Sequence, residues 1–434
     1  MPQMCYTESR KIGEGETGMK NGFFRMLGLL LALLLLTACG RMDGEESSDT
    51  GTFSHREEQK TDLFSLSFPL KSFTSLTTQE LLARGSKEHQ VYADNMMFFL
   101  DTPLCLYGTH MSWNGSSGHT RYFAYDKWSG DISDACRDPL CDHTSCMWGI
   151  QIDGFRKIYC GKDGLFFVEE QTDDSQMGDG AVGGTDFQYY MTQIYATDFL
   201  GNDVERIYRT EGVVADLMQL GNDLWFYRTT WDSENETERN EVIRLDMEIG
   251  RSETVIAQTD WFYPLENALL YRPSAVGADG NATSASEAVY LRDLKTGADE
   301  VFFEEERGVC EYIIVGLYDN ALYYRKYNMQ EQTSILFRRG DGGFGEEESV
   351  EVPYGQSTNW SGDGFYGWEM TKNGGVLYRD GEEPYTVDVG YPCQDYLLDG
   401  DLFLFCYNIR IGGVADSYWR LIDLKTREYL EFTH

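Results

Sequence analysis

The sequence predicts an all-β protein built as a seven-bladed β-propeller, and three observations carry that prediction. The first is a turn-and-strand phrase, Asp163-Gly164-Leu165-Phe166-Phe167, with six related copies along the chain. The second is a partner phrase, a strand ending in an Asp-containing turn, that follows the first at a regular interval. The third is composition: aromatics are 14 % of residues, with 28 Tyr, 24 Phe and 45 Gly against 9 Pro. Aromatic side chains suit a pleated, half-buried surface, and frequent Gly marks frequent turns.

Asp-Gly between apolar runs favours a two-residue hairpin, because Gly accepts positive φ and Asp tolerates it. The related copies begin at Asp94, Asn222, Asn267, Asp319, Asp363 and Asp399. In the partner phrase, an Asp at the start of the turn accepts backbone N–H groups ahead of it, and a following Gly takes the left-handed position. These Asps fall at 126, 198, 246, 293 and 423, with weaker copies at 341 and 380. After a first interval of 72 residues, they are spaced by 48, 47, 48, 39 and 43. Two hairpins per unit supply four strands, and the spacing matches the ~40–50 residues of a propeller blade. A sandwich would show turns without this paired order; six or eight blades also fit the spacing. Gln193-Ile194-Tyr195-Ala196-Thr197-Asp198 resembles the Tyr-Trp-Thr-Asp repeat of lipoprotein-receptor propellers. Ala196 stands where that family has Trp, so the resemblance implies a propeller strand and carries over no ligand residues.

The N-terminus holds a different signal. Lys20 and Arg25 precede an apolar run over 26–36, followed by Leu36-Thr37-Ala38-Cys39-Gly40. This resembles a bacterial lipoprotein signal with its lipobox, and the run is short of the ~20 residues that cross a bilayer. The resemblance implies removal of residues 1–38, acylation of Cys39 and a lipid-anchored place on the extracytoplasmic face of the cell membrane. Glu8, Glu14 and Glu16 are unlike a signal's basic start, so translation is expected to begin at Met19. Residues 39–61 read as the lipidated Cys and a polar tether, and 62–90 as a strand and a short helix, Thr78 to Gly85, leading into the propeller over 91–434. The chain carries a net charge of −36. Such a surface repels phosphate backbones and anionic headgroups, so nucleic acid is not an expected partner and the membrane is reached through the lipid.

Several long segments, 105–120, 171–188, 230–240, 273–287 and 407–417, are expected as loops on the face opposite the tight turns. Long loops on a rigid scaffold carry function. Trp113 and Trp231 there suit stacking on a sugar or peptide side chain, and Asp173, Asp174, Asp179 and Asp186 suit a cation. Solvated insertions without a ligand are the competing reading.

Cys136-Arg137-Asp138-Pro139-Leu140-Cys141-Asp142-His143-Thr144-Ser145-Cys146 is the sharpest chemical feature, expected on that same face between the first two units. Cys136, Cys141, His143 and Cys146 offer a tetrahedral zinc set, since thiolate and neutral imidazole suit that metal. Disulfides, with Cys160 as fourth partner, and free thiols compete with it. Zinc is the one cofactor suggested and none is assured. Taking Asp399–Gly400 as a two-residue turn sets Cys393 opposite Cys406, as a cross-strand disulfide or two small buried side chains. Cys105 and Cys310 read as core residues.

Through the lipobox, the repeats and the Cys/His stretch, the chain resembles propeller-repeat surface lipoproteins of Gram-positive anaerobes, an uncharacterised family. That resemblance implies surface location and no established chemistry. No Gly-x-Ser-x-Gly, His-Glu-x-x-His or phosphate-binding loop is present. The function expected is a non-catalytic propeller binding a glycan, a peptide or an envelope partner through its long-loop face. A carboxylate-dependent glycan hydrolase or lyase on that face, and a structural protein–protein interaction module, are the alternatives.

Overall fold

The computed structural model describes residues 76–88, 91–92, 99–113, 118–138, 141, 146–148, 156–172, 190–232, 237–276, 282–284, 288–304, 309–352, 358–361, 364–411 and 414–433. A helix, α1 (Thr78–Glu88), and a two-residue strand, β1 (Val91–Tyr92), precede seven antiparallel sheets. Blade 1 is β2 (Phe99–Asp101), β3 (Cys105–Trp113), β4 (Gly118–Asp126) and β5 (Ile132–Asp134). Blade 2 is β6 (Arg156–Cys160), β7 (Leu165–Thr172), β8 (Tyr190–Thr197) and β9 (Glu205–Glu211). Blade 3 is β10 (Val213–Leu220), β11 (Asp223–Asp232), β12 (Thr237–Asp246) and β13 (Arg251–Ala257). Blade 4 is β14 (Thr259–Leu265), β15 (Ala268–Val276), the short β16 (Ala282–Ser284), β17 (Ala288–Asp293) and β18 (Asp299–Glu304). Blade 5 is β19 (Cys310–Tyr318), β20 (Ala321–Asn328), β21 (Thr333–Arg339) and β22 (Glu347–Val350). Blade 6 is β23 (Thr358–Ser361), β24 (Gly364–Thr371), β25 (Gly374–Arg379) and β26 (Tyr385–Asp388). Blade 7 is β27 (Cys393–Asp399), β28 (Leu402–Ile411), β29 (Val414–Asp423) and β30 (Tyr429–Thr433).

The strands run in sequence order within every blade, and β1 pairs with β10, the innermost strand of blade 3. Seven apolar clusters fill the seven seams between neighbouring blades, so the ring closes and the count of seven holds. Each blade is complete on its own strands, so side chains rather than a shared strand join the last blade to the first. There, Trp419 meets Phe99 and Phe123 edge-on at 4.8 and 5.2 Å, beside buried Leu106, Leu404 and Leu421.

A buried ion network locks the same seam from the tight-turn end. Lys127 Nζ lies 2.6 Å from both Asp101 and Asp399, and Arg84 of α1 reaches Asp399 at 3.1 Å. Burial pushes the Lys127 ammonium down, but the two carboxylates outweigh it and raise it above the ordinary lysine range. The α1 helix starts in a capping box: the Glu80 carboxylate accepts Thr77 N–H at 2.8 Å, and Thr77 Oγ1 accepts Glu80 N–H at 3.3 Å. It runs through Gly85, the expected stop, to Glu88.

All seven Asp-containing outer turns occur where the sequence places them. Asp126 Oδ1 accepts the N–H groups of Trp128 and Ser129 at 2.9 and 3.0 Å, and Asp198, Asp246, Asp293 and Asp423 do the same in their own turns. The inner turns differ in detail. Gly164 is not left-handed; a Cβ there would lie 1.8 Å from the Thr197 carbonyl oxygen, so close packing rather than φ demands glycine. The first copy, at Asp94, lies outside the described residues, and blade 1 makes its inner turn at Thr102, whose hydroxyl accepts Cys105 N–H at 2.9 Å.

The expected long loops are in good part strand. The β3–β4 ladder pairs through Trp113 and Gly118, β11–β12 through Asp232 and Thr237, and β28–β29 through Ile411 and Val414. These second and third strands outrun their neighbours and project as hairpins at the end opposite the tight turns. Among the described residues, no helix is long and apolar enough to cross a membrane.

Candidate functional site

Register irregularities interrupt the first strand of four blades. The ladders slip at Asp216 and Leu217 in β10, Asp260 in β14, Val315 in β19 and Gln394 in β27. A bulge lets a residue leave the in–out alternation, and bulges gather where a site must be shaped. Asp216 takes φ 50°, an uncommon conformation for a non-glycine residue. Asp216 is exposed on β10, between the short β1 and β11 in the sheet order. The surrounding protein desolvates the carboxyl and raises it above the usual range, with Lys157 acting against the rise.

Phenols and charges surround this carboxyl. Tyr159 is pushed up by burial, then by the Asp216 and Glu170 carboxylates, and its hydroxyl lies against the Asp216–Leu217 backbone. Tyr227 is raised by burial, then by Asp260, Asp216 and Glu238, and its hydroxyl donates to the Thr259 carbonyl at 2.8 Å. Lys157 Nζ donates to Glu170 at 3.0 Å and to the Val214 carbonyl at 2.8 Å, bridging blades 2 and 3. Arg228 pairs with the buried Glu241 and donates to Thr210 Oγ1 at 3.0 Å. The set can donate hydrogen bonds through phenols and accept them through carboxylates.

Trp113 ends β3 and Trp231 stands one residue before the end of β11, both on strands at the hairpin-tip end rather than in the loops expected. Trp231 is half-buried. Asp173, Asp174, Asp179 and Asp186 lie outside the described residues, as does Cys39. Asp216 and its neighbours were missed in the sequence, although the Asp within Val213-Val214-Ala215-Asp216-Leu217-Met218 breaks the alternation of an otherwise apolar strand.

The thiols sit elsewhere. Cys136, Cys141 and Cys146 bring their sulfurs within 4.8 Å of one another, each side chain half-buried. Burial, and then the neighbouring thiols, push Cys146 up to about 12; Cys136 is raised, chiefly by burial. His143 lies outside the described residues. Cys160 is buried on β6 with its sulfur on the Gly161 carbonyl, and the sulfur triangle forms without it.

The expectation that this segment lies on the hairpin-tip face is corrected. Arg137 reaches Asp126 and Cys105, and the Trp148 indole lies against Gly201, all at the tight-turn end of blades 1 and 2. Trp148 stacks on Tyr107 at 4.8 Å and meets Phe167 edge-on at 5.1 Å. Only three residues of β5 pair before the chain turns back, and the segment fills the seam instead of rising over it.

Cys393 and Cys406 are not cross-strand partners. The last inner turn is Gly400–Asp401, with Asp399 opposite Leu402, and the bulge at Gln394 sets Cys393 opposite Tyr407 and Cys406 opposite Asp395. Cys393 packs into the seam with blade 6 and Cys406 into the seam with blade 1, on opposite faces of the sheet. They are the small buried side chains of the second expectation.

No family model matches the chain, and no curated protein matches it. Solved structures similar to it include the β-propeller domain of the Trilobed protease from Pyrococcus furiosus, at 10 % identity and a TM-score of 0.45, over 77 % of this chain and 97 % of that one. An acylaminoacyl peptidase from Pyrococcus horikoshii is 11 % identical with a TM-score of 0.46, over 80 % of this chain and 54 % of its own. The polysaccharide lyase Uly1 is 10 % identical with a TM-score of 0.44, over 77 % and 91 %. The activities in those descriptions belong to those proteins; the ring described here stands on its own strand pairing and seams.

Proposed function

We propose that the chain is a membrane-anchored extracytoplasmic lipoprotein of the Gram-positive surface type, whose propeller binds a glycan, a peptide or an envelope partner at its hairpin-tip end without catalysis. The anchoring half rests on the lipobox at Cys39. The binding half rests on one observation: Asp216, its backbone left-handed at a bulge and its carboxyl acting on both Tyr159 and Tyr227. A left-handed acidic residue at a bulge between two phenols adds nothing to the packing of the ring, so the arrangement fits a polyhydroxylated or amine-bearing ligand. Neighbouring carboxylates support this, because Glu170 and Glu241 are held in ion pairs that build a rigid rim rather than a reactive pair.

Glycan and peptide arrays probed with wild type and Asp216→Asn test the binding half. The expected result is a ligand class retained by wild type and lost by the variant; identical profiles, or no retained ligand, would sink it. For the anchor, Cys39→Ala is expected to move the protein from the membrane fraction to the medium. A variant still found wholly on the membrane contradicts that.

One observation favours the hydrolase or lyase alternative: Asp216 and Asp260 both act on Tyr227, which sets two carboxylates about one phenol. Cleavage of an array ligand by wild type and not by Asp216→Asn would turn the reading from binding to catalysis.

A further inference from the structure

We propose that Cys136, Cys141 and Cys146 supply three thiolates of a tetrahedral zinc site, forming a structural metal centre that pins the seam between blades 1 and 2. Three sulfurs, all within 4.8 Å of one another, make a triangle. Zinc–sulfur bonds of about 2.3 Å at tetrahedral angles set sulfurs about 3.8 Å apart, so the triangle needs only a small contraction to grip the ion. A disulfide joins two sulfurs and leaves the third beside them; a metal uses all three.

The placement gives the ion a task. Cys136 follows β5 almost directly, and Cys146 stands two residues before Trp148, the aromatic centre of this seam. Between them the chain has no strand or helix among its described residues, only a turn closed by Cys141 N–H on the Asp138 carbonyl at 3.1 Å. An ion bound at both ends fixes the entry and exit of this irregular segment, and with them the position of the indole. Hence the centre is structural. It lies in the seam between blades 1 and 2, whereas Asp216 belongs to blade 3, so it stands or falls independently of the ligand-binding reading. On binding, each S–H gives its proton to solvent as its S–Zn bond forms, and no electron moves.

The test is elemental analysis and a thiol count on the full chain, purified in detergent under anaerobic conditions without chelator. One zinc per chain is expected, lost in Cys136→Ser, Cys141→Ser and Cys146→Ser and kept in Cys310→Ser. Because a serine variant can fail to fold, the wild-type chain is also exchanged into cobalt, whose thiolate charge-transfer bands are expected at an intensity that reports three sulfur ligands. A metal-free protein with every thiol titratable, a disulfide within the trio after anaerobic purification, or cobalt spectra without thiolate bands would each overturn the assignment.

Discussion

On the blade 7 side of blade 1, Trp419 meets Phe99 and Phe123, and every contributing residue belongs to a strand or a tight turn. On the blade 2 side, Trp148 fills the same role from a segment that is neither, with Cys136 and Cys146 packed beside it. Both seams face one problem: β2 and β5 are three residues long, so blade 1 offers little sheet to its neighbours. One seam solves it with long strands from blade 7 and a buried ammonium shared by two blades. The other sends the chain back on itself to supply the missing volume. A ring of repeats therefore tolerates a weak unit if each flank is filled, and the means of filling are interchangeable.

The sharpest way to break this equivalence is Trp148→Ala. Emptying an aromatic site in a packed core costs about 3–5 kcal/mol, and the upper end applies here because the indole contacts both blades. Urea unfolding would measure it; a loss below about 1 kcal/mol would show that the irregular segment is not the core of its seam.

Lys127→Ala attacks the opposite flank. Breaking a buried ion pair costs about 3–5 kcal/mol, and the lower end is expected because Arg84 remains beside Asp399. Since the folded ammonium is raised, its contribution is complete below the unfolded lysine value of about 10.4 and fades as pH climbs through the folded value. The gap in stability between wild type and Lys127→Ala should thus be constant from neutral pH to about 10 and shrink above it. A gap independent of pH up to full unfolding would remove the ammonium from the account.

The same contrast explains what could be read in advance. Seven Asp-containing turns and their spacing set the blade count, because the backbone N–H groups of a turn must be satisfied locally, and in five of them Asp does this within four residues. The blade 7 flank follows from that count. The direction of the segment over 136–148 does not, since nothing local distinguishes a connection that rises over the ring from one that folds into a seam. Cys393 shows the same limit on a smaller scale: one bulged residue, Gln394, moved it to the other face of its sheet. Asp216 was hidden for a related reason, since the bulge at 216–217 takes it out of period-two alternation.

Carboxylates sharpen the comparison further. Asp399 and Asp101 face the buried Lys127 ammonium, whereas at Asp216 desolvation outweighs Lys157 and raises the carboxyl. An acid whose folded value is raised binds more protons in the folded state, and stability falls as pH rises from about 3.9 through the folded value. Asp216→Asn should therefore be stabilising at pH 7 and neutral at pH 3, by less than either change above and in the opposite direction. Thermal melts at both pH values check it, and a destabilised variant at pH 7 would mean that the carboxylate is held by a favourable contact instead.

The smallest expected effect concerns the outer turn of blade 7. Gly130, Gly201, Gly250, Gly297, Gly342 and Gly381 take the left-handed position in the other six blades, at φ 67–78°, but here it is Arg427, at φ 63°. A left-handed non-glycine residue costs about 1–2 kcal/mol. Its guanidinium lies 4.2 Å from the ring centre of Tyr385 in blade 6, a cation–π contact across a seam worth about 0.5–1 kcal/mol at an exposed site. Arg427→Ala loses the contact and keeps the strain, so it should destabilise by about 1 kcal/mol. Arg427→Gly loses the contact, relieves the strain and adds the chain entropy of glycine, about 0.5–1 kcal/mol, leaving it within about 0.5 kcal/mol of wild type. If urea melts place the alanine and glycine variants together, the left-handed backbone carries no strain, and the contact across the seam is a consequence of the turn rather than compensation for it.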